Sequence, residues 1–290
     1  MCEARHMSTN DAASEASSFA DLDRPPLDPE ALRNVLVGPG TWWREVVVTA
    51  ESPSTNSDLA DRARAGAPEG TLVTTDHQVA GRGRLDRPWQ SPARSGLAVS
   101  VLLRPDLVPA ERWSWLPLVV GLAAAETVRH AAGLEAMLKW PNDVMIGDRK
   151  LAGILVERVE TETGPAAVVG IGLNVSLRTE ELPVPHATSL ALENASTVDR
   201  SVLLRAYARN LEALYRAWAA GEGDPYVGVH DSYVRRCATV GQQVLVTSSN
   251  GSTASGLAEA IDGSGRLVVN VAGDRQAFSA GDITHVRPQS

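Results

Sequence analysis

Four short stretches concentrate side chains able to do chemistry: STN at 54–56, HQVAGRGRLDRPW at 77–89, KWPNDVMIGDRKLAGIL at 139–155 and GIGLN at 170–174. In the second, Gly81 and Gly83 let the backbone approach a ligand and turn its N–H groups toward an anion. Arg82, Arg84 and Arg87 add planar bidentate donors suited to phosphate or carboxylate, and Trp89 closes the stretch. With few apolar anchors and no evident internal partners for its charges, this loop is expected to be mobile alone and ordered with an anion. It is not a dinucleotide fingerprint, because Asp86 stands where the third glycine belongs, and no Walker A pattern occurs in the chain.

The third stretch flanks a polar pair, Asn142 and Asp143, with Lys139 and Lys150, and Pro141 restricts the backbone just before it. Lysines act as point charges toward phosphates; Asn and Asp can hold Mg²⁺ or orient a nucleophile. Ser54, Thr55 and Asn56 at a helix N-terminus offer hydroxyls, an amide and free backbone N–H groups to a small neutral polar group. Taken singly, each stretch also reads as something plainer: a solvated basic turn, a charged surface turn, a helix cap.

The elements that must position these stretches follow from periodicity. WWREVVVTA, GTLVTTDHQ, SGLAVSVLLRP and AAVVGIGLNVS read as strands, and AMLKWPNDVMIGDRKLAGILVERVE as strands around a Gly-Asp turn. Helices are expected from a short pattern at Asp28, from about Ser57 to Ala65, from about Ala110 to Ala132 with Gly133 as the stop, over DRSVLLRAYARNLEALYRAWAAG and over DPYVGVHDSYVRRCA. After Ala238 the texture becomes short alternating strands with Asn-Gly, Asp-Gly and Gly-Asp turns, a small all-β unit. The domains are therefore expected at 1–40 (disordered or weakly structured), 41–237 and 238–290.

The chemistry-bearing stretches fall at strand ends and helix starts, where loops converge over a rigid sheet. Hydrophobic residues make up 43% of the 290, enough to build a core, and no apolar run is long enough to span a membrane. The net charge of −8 argues against general affinity for nucleic acid. Two cysteines and six scattered histidines supply neither a disulfide framework nor a zinc site, and point to a cytoplasmic location.

In order and wording the four stretches resemble the biotin protein ligase (biotin–[carboxylase carrier] ligase) family, over roughly Trp43 to Pro288. The motifs STN, Q-x-x-GRGR, KWPND, GRKLAGIL (here DRKLAGIL) and GIGLN are specific in combination. The family loop often reads GRGR-x-G-R-x-W; here Leu85 and Asp86 occupy the x-G positions, and Asp86 sets a negative charge beside an anion site. The resemblance implies an α+β fold: a mixed-sheet catalytic domain related to class II aminoacyl-tRNA synthetases and lipoate ligases, with a small C-terminal SH3-like β domain.

The resemblance further implies that biotin and ATP are joined as biotinyl-5′-AMP, and that biotin then passes to one lysine of a biotin carboxyl carrier domain of an acyl-CoA carboxylase. Ser54, Thr55, Asn56 and Gln78 would bind the biotin head. The Gly153–Leu155 strand and the backbone of Gly81 and Gly83 would pack on its ring and chain. Arg82, Arg84 and Lys150 would hold the carboxylate and α-phosphate. Lys139, Asn142 and Asp143 would serve the nucleotide phosphates and Mg²⁺, with Arg87, Trp89, Gly172 and Asn174 around the adenylate. Lys150, Arg84, Asp143 and Lys139 are the expected catalytic set, and zinc, haem and flavin have no place in it. A lipoate ligase and a non-catalytic biotin-binding regulator are the alternatives. A homodimer is compatible with the family. DNA binding is not expected: residues before Trp42 carry three arginines, no lysine and seven acidic groups.

Overall fold

The computed structural model describes residues 23–248, 251–279 and 281–285. Its main sheet has seven strands: β1 (Glu45–Ser52), β2 (Thr71–Gln78), β5 (Gly96–Leu103), β6 (Met137–Lys139), β7 (Asp143–Ile146), β8 (Arg149–Thr161) and β9 (Gly164–Asn174). Their order is β1-β2-β5-β9-β8-β7-β6. Only β1 and β2 pair in parallel, through the crossover helix α2 (Thr55–Arg64); the other pairings are antiparallel, so the sheet is mixed. β3 (Gly81–Arg82) and β4 (Pro88–Trp89) form a separate two-stranded ribbon.

The two faces of the sheet are packed differently. Leu72, Val99, Val101, Leu103 and Val169 belong to the larger core, with the apolar α3 (Leu116–Ala132) and the amphipathic α4 (Arg200–Ala220). The alternate residues Val73, Leu102 and Val168 meet Leu59 and Ala63 of α2 in a second, smaller core. This alternation is the period of two that a strand imposes.

Along the α2 face, paired rows of residues shrink in size. Leu102 and Glu157 flank Val168; Ser100 and Leu155 flank Gly170; Ala98 and Gly153 flank Gly172. The helix body covers the bulky row. Beyond its N-terminus the small row leaves the sheet open, which is where a pocket forms.

Two expectations are corrected. The helix read from Ala110 starts as a 3₁₀ turn (Ala110–Trp115), and α-helix begins at Leu116, because Pro117 has no N–H to give and is tolerated only in a first turn. The segment read as disordered or weakly structured up to residue 40 is packed from residue 23 onward. Arg24 pairs with Glu181 at 2.5 Å and donates to Ser176 O at 2.6 Å. Leu27, Leu32 and Leu36 are buried, the last two on α1 (Pro29–Leu36), which Asp28 caps as expected. Residues 1–22 of that segment lie outside the described residues.

α5 (His230–Arg236) leads to a second sheet of β10 (Gln243–Thr247), β11 (Thr253–Ile261), β12 (Leu267–Val271), β13 (Asp274–Phe278) and β14 (Asp282–His285), all antiparallel, in the order β13-β12-β11-β10-β14. Its 262–266 turn is fastened to the main domain by indoles: Trp115 Nε1 donates to Gly263 O and Trp140 Nε1 to Gly265 O, both at 2.9 Å.

Candidate active site

A cavity of about 330 Å³ opens over the small-residue row and brings all four sequence stretches together. Its floor is the backbone of Gly153, Gly170 and Gly172. A Cβ on Gly170 would overlap Asn56 Oδ1, and one on Gly172 or Gly153 would collide with the Trp89 indole. Glycine is required here for close approach, not for an unusual backbone angle.

One end of the cavity is neutral and fully wired. Ser54 caps α2, its hydroxyl accepting from Ser57 N–H at 3.4 Å. Thr55 donates its N–H to Gln78 Oε1 at 3.0 Å, and its hydroxyl oxygen lies 3.2 Å from the same atom. Asn56 Nδ2 donates to Glu157 Oε2 at 2.7 Å and to Leu155 O at 3.3 Å. Beneath them the buried Ser100 hydroxyl lies 2.8 Å from Thr55 Oγ1 and 2.6 Å from Asn56 Oδ1. Gly81 does not line the cavity. It is buried against Gln78, where a Cβ would overlap Nε2, so it seats the loop on the glutamine.

The other end is cationic. Lys150 Nζ stands 2.6 Å from Asp143 Oδ1 and 5.7 Å from the centre of the Trp89 ring. Arg84 donates to Asn142 Oδ1 at 3.1 Å, and Asn142 Nδ2 donates to Ile154 O at 3.0 Å. Burial lowers the Arg84 pKa from its ordinary value, with the charges of Asp282 and Asp143 opposing. Arg87 pairs with Asp282 of β14, and Arg82 donates to Ser57 Oγ at 3.1 Å beside Glu157 at 3.8 Å. The loop arginines thus have internal partners, against the expectation that they lack them. Those partners lie on α2, on β8, after β6 and on β14, which no local reading of the loop could supply. The loop backbone is unusual as well: Leu85 and Asp86 have φ of 56° and 54°, a left-handed conformation costly for a side chain and free for glycine.

Of the sequence-predicted residues, Ser54, Thr55, Asn56, Gln78, Arg82, Gly83, Arg84, Arg87, Trp89, Asn142, Asp143, Lys150, Gly153, Leu155, Gly172 and Asn174 line the cavity. Lys139 does not: its charge acts on His285 of β14. The peptide between Trp140 and Pro141 is cis. Asn174 is buried and donates to Thr188 O at 2.9 Å, so it braces a wall segment.

That wall, containing Pro183, Val184 and His186, was missed, as was Asp282. The wall is held to β8 by Lys150 N–H donating to His186 O at 2.7 Å and Thr188 N–H to Lys150 O at 2.9 Å. Neither group carries a local pattern that marks it. Among the described residues no group of three metal-ligating side chains occurs. Asp143 offers one carboxylate, already paired with Lys150, which suits an ion arriving on a nucleotide better than a resident one.

Comparison with known proteins places the chain among relatives. Residues 48–174 match the Biotin/lipoate A/B protein ligase family, and residues 239–286 the Biotin protein ligase C terminal domain. A biotin–[acetyl-CoA-carboxylase] ligase of Mycobacterium tuberculosis is 40% identical over 271 residues, covering 92% of this chain and 98% of that one. The bifunctional ligase/repressor BirA of Bacillus spizizenii is 33% identical, covering 78% of this chain and 70% of that one. Among solved structures, the biotin protein ligase of Aquifex aeolicus, in complex with biotin and ATP, superposes with a TM-score of 0.70 at 24% identity. It covers 84% of this chain and 100% of that one, a likeness of fold. Two family matches, a relative aligned almost end to end and a common fold together establish that this chain belongs to the biotin protein ligase family.

Proposed function

We infer that this chain is an ATP-dependent biotin ligase, activating biotin to biotinyl-5′-AMP and transferring it to a lysine of a biotin carboxyl carrier domain of an acyl-CoA carboxylase. The observation that carries this reading is a single cavity with a neutral hydrogen-bonding end and a cationic end facing each other across a glycine floor. A cyclic urea fits the first end and a carboxylate with a triphosphate the second. Lipoate has no N–H to offer the Ser54–Gln78 end, which disfavours that alternative.

The first step is attack of the biotin carboxylate on the α-phosphate, with pyrophosphate leaving. Anions must meet, so repulsion is the obstacle, and preorganised cations lower it. Arg84 and Lys150 are the groups assigned to the carboxylate and α-phosphate. Asn142 and Arg87 are assigned to the nucleotide. Trp89, over the glycine floor, shields the mixed anhydride from water. Asp143 would be the protein's carboxylate toward a Mg²⁺ ion arriving on the nucleotide, which would supply neutralisation of phosphate charge. Lys139 is assigned a supporting field from outside the cavity, not a contact.

In the second step the neutral amine of the carrier lysine attacks the carbonyl, the bond to AMP breaks, and the proton lost from nitrogen passes to solvent. Asp143 stands ready to orient the incoming amine once Lys150 turns to the phosphate. We place the reaction in the cytoplasm with its co-substrate ATP, and assign no DNA-binding role, given the acidic balance before Trp42. Among the described residues no helix is long and apolar enough to cross a membrane.

The test is pyrophosphate release from ATP with biotin or lipoate, followed by label transfer to a carrier domain. Release with biotin only, and transfer to the carrier lysine, is expected. Release with lipoate alone would replace this reading by the lipoate ligase one, and biotin binding without release by the regulator.

A further inference from the structure

Asn56 lines the cavity, yet its partners come from outside it. Its Nδ2 faces two groups that can only accept: the carbonyl of Leu155 at 3.3 Å and the carboxylate of Glu157 at 2.7 Å. Reversing the amide would set Oδ1 against both, with no hydrogen between them. The orientation therefore follows from the partners. Oδ1 must face the other way, toward Ser100 at 2.6 Å and over the bare Cα of Gly170.

The hydroxyls then fall into order. Ser100 has one hydrogen, and Asn56 Oδ1 cannot donate, so that hydrogen goes to Oδ1. The 2.8 Å contact between Ser100 and Thr55 is made by the Thr55 hydrogen, while Gln78 Oε1 keeps the Thr55 N–H. Both Nδ2 hydrogens are spent inside the protein, and one lone pair of Oδ1 remains for the cavity. Asn56 is an obligate acceptor toward anything bound there.

We propose that Glu157 is a positioning residue that locks Asn56 as a hydrogen-bond acceptor, and that this lock selects a ligand head group carrying an N–H, such as a cyclic urea, over an apolar ring such as a dithiolane. Glu157 does not line the cavity; it holds Asn56 at 2.7 Å and lies 3.8 Å from Arg82, a contact that Glu157→Gln also discharges while keeping the Asn56 acceptor. A head group without an N–H leaves the buried Oδ1 lone pair unmatched, a loss worth about 10–100-fold in affinity. Without Glu157 only the longer bond to Leu155 O, at 3.3 Å, holds the amide, and the reversed orientation becomes accessible. The inference rests on the biotin reading above and names the residue behind its specificity.

The experiment compares full-length wild type with Glu157→Met, Glu157→Gln and Glu157→Ser. Glutamine can still accept from Asn56 Nδ2 through its amide oxygen; methionine offers only a weak sulfur acceptor, and serine is too short to reach. The Glu157 side chain is 35% exposed, so the fold tolerates its loss, and serine is the second variant should methionine fail to fold. Biotin affinity is read by calorimetry, KM for ATP by pyrophosphate release, and a biotin singly methylated on either ureido nitrogen serves as the probe. Expected are about tenfold or greater weakening for Glu157→Met and Glu157→Ser, with KM for ATP within about threefold, and Glu157→Gln within about threefold of wild type. The penalty for methylating one nitrogen should shrink in Glu157→Met. A folded Glu157→Met or Glu157→Ser with wild-type biotin affinity and an undiminished methylation penalty overturns the inference. Loss of binding in Glu157→Gln equal to that in Glu157→Met does so as well. A wild-type protein that releases no pyrophosphate with biotin would instead sink the functional reading.

Discussion

The two ends of the cavity are built by opposite means. At the neutral end the groups sit on α2, β2, β5, β8 and β9, and nearly every polar atom is committed to a neighbour within the same two layers. At the cationic end the arginines sit on a ribbon and loop with two left-handed residues, and each is paired with a different, distant part of the chain. A neutral head group supplies little energy to reorganise a site, so its site must be preformed. Phosphates bring strong charge-assisted hydrogen bonds, enough to draw arginines off partners that are half exposed. On the proposed function, one substrate would be recognised by rigidity and the other by exchange of ion-pair partners.

Lys150 is the lysine of the cationic end, and its removal should have the largest effect. Lys150→Ala is expected to slow adenylate formation by about 10²–10³-fold while biotin affinity survives within about tenfold. Single-turnover pyrophosphate release and calorimetry separate the two. Wild-type release would remove Lys150 from its assigned role.

A pair of alanine substitutions addresses the contrast itself. Gly170→Ala drives a methyl into the Asn56 amide, and overpacking of that kind should weaken biotin binding by about 5–150-fold. Gly83 has an ordinary φ of −103°, and its added methyl would meet only Arg87 O at 3.5 Å. Gly83→Ala should change biotin affinity by less than about threefold. Equal losses in the two variants would erase the distinction between a rigid and an adaptable end.

Arg87→Ala unfastens the loop from β14. Stability should change by less than about 1 kcal/mol, since the pair is exposed. KM for ATP should rise about 3–10-fold with biotin affinity unmoved, because a lost charge-assisted hydrogen bond acts at one end only. A parallel rise in both constants would show that the ends are not independent.

The smallest effect concerns pH. Burial, with Lys139 nearby and Asp148 opposing, holds His285 below its ordinary value of 6.5. The folded protein thus favours neutral His285. The stability this contributes is complete above pH 6.5 and is lost as pH falls through the lowered value. His285→Asn should flatten that part of the curve of urea midpoint against pH; an unchanged slope would mean that other groups set it.

Much of the molecule was legible before any coordinates. Asp28, Ser54 and Asp199 announced helix starts because a side-chain acceptor is needed where backbone N–H groups are unpaired, and Gly133 announced a stop because the chain there turns left-handed at φ 70°. The strands of both sheets showed in the alternation of their residues. The 3₁₀ start at Ala110 did not, since apolar spacing is nearly the same in both helix types until Pro117 intervenes.

The sequence by itself determined the chemistry on offer: neutral polar groups at 54–56, arginines at 82, 84 and 87, lysines at 139 and 150, and glycines at 153, 170 and 172. These are properties of residue types, and types are local. Only the tertiary structure decided which of them share a cavity. It set Lys139 outside and brought in Asp282, 195 residues from Arg87. It aligned Ser100, Gly170 and Leu155 in one row, so that Asn56 rests on a glycine between Ser100 and Glu157. Strand register and sheet order fix such meetings. They arise from packing the whole chain, which no stretch of it contains.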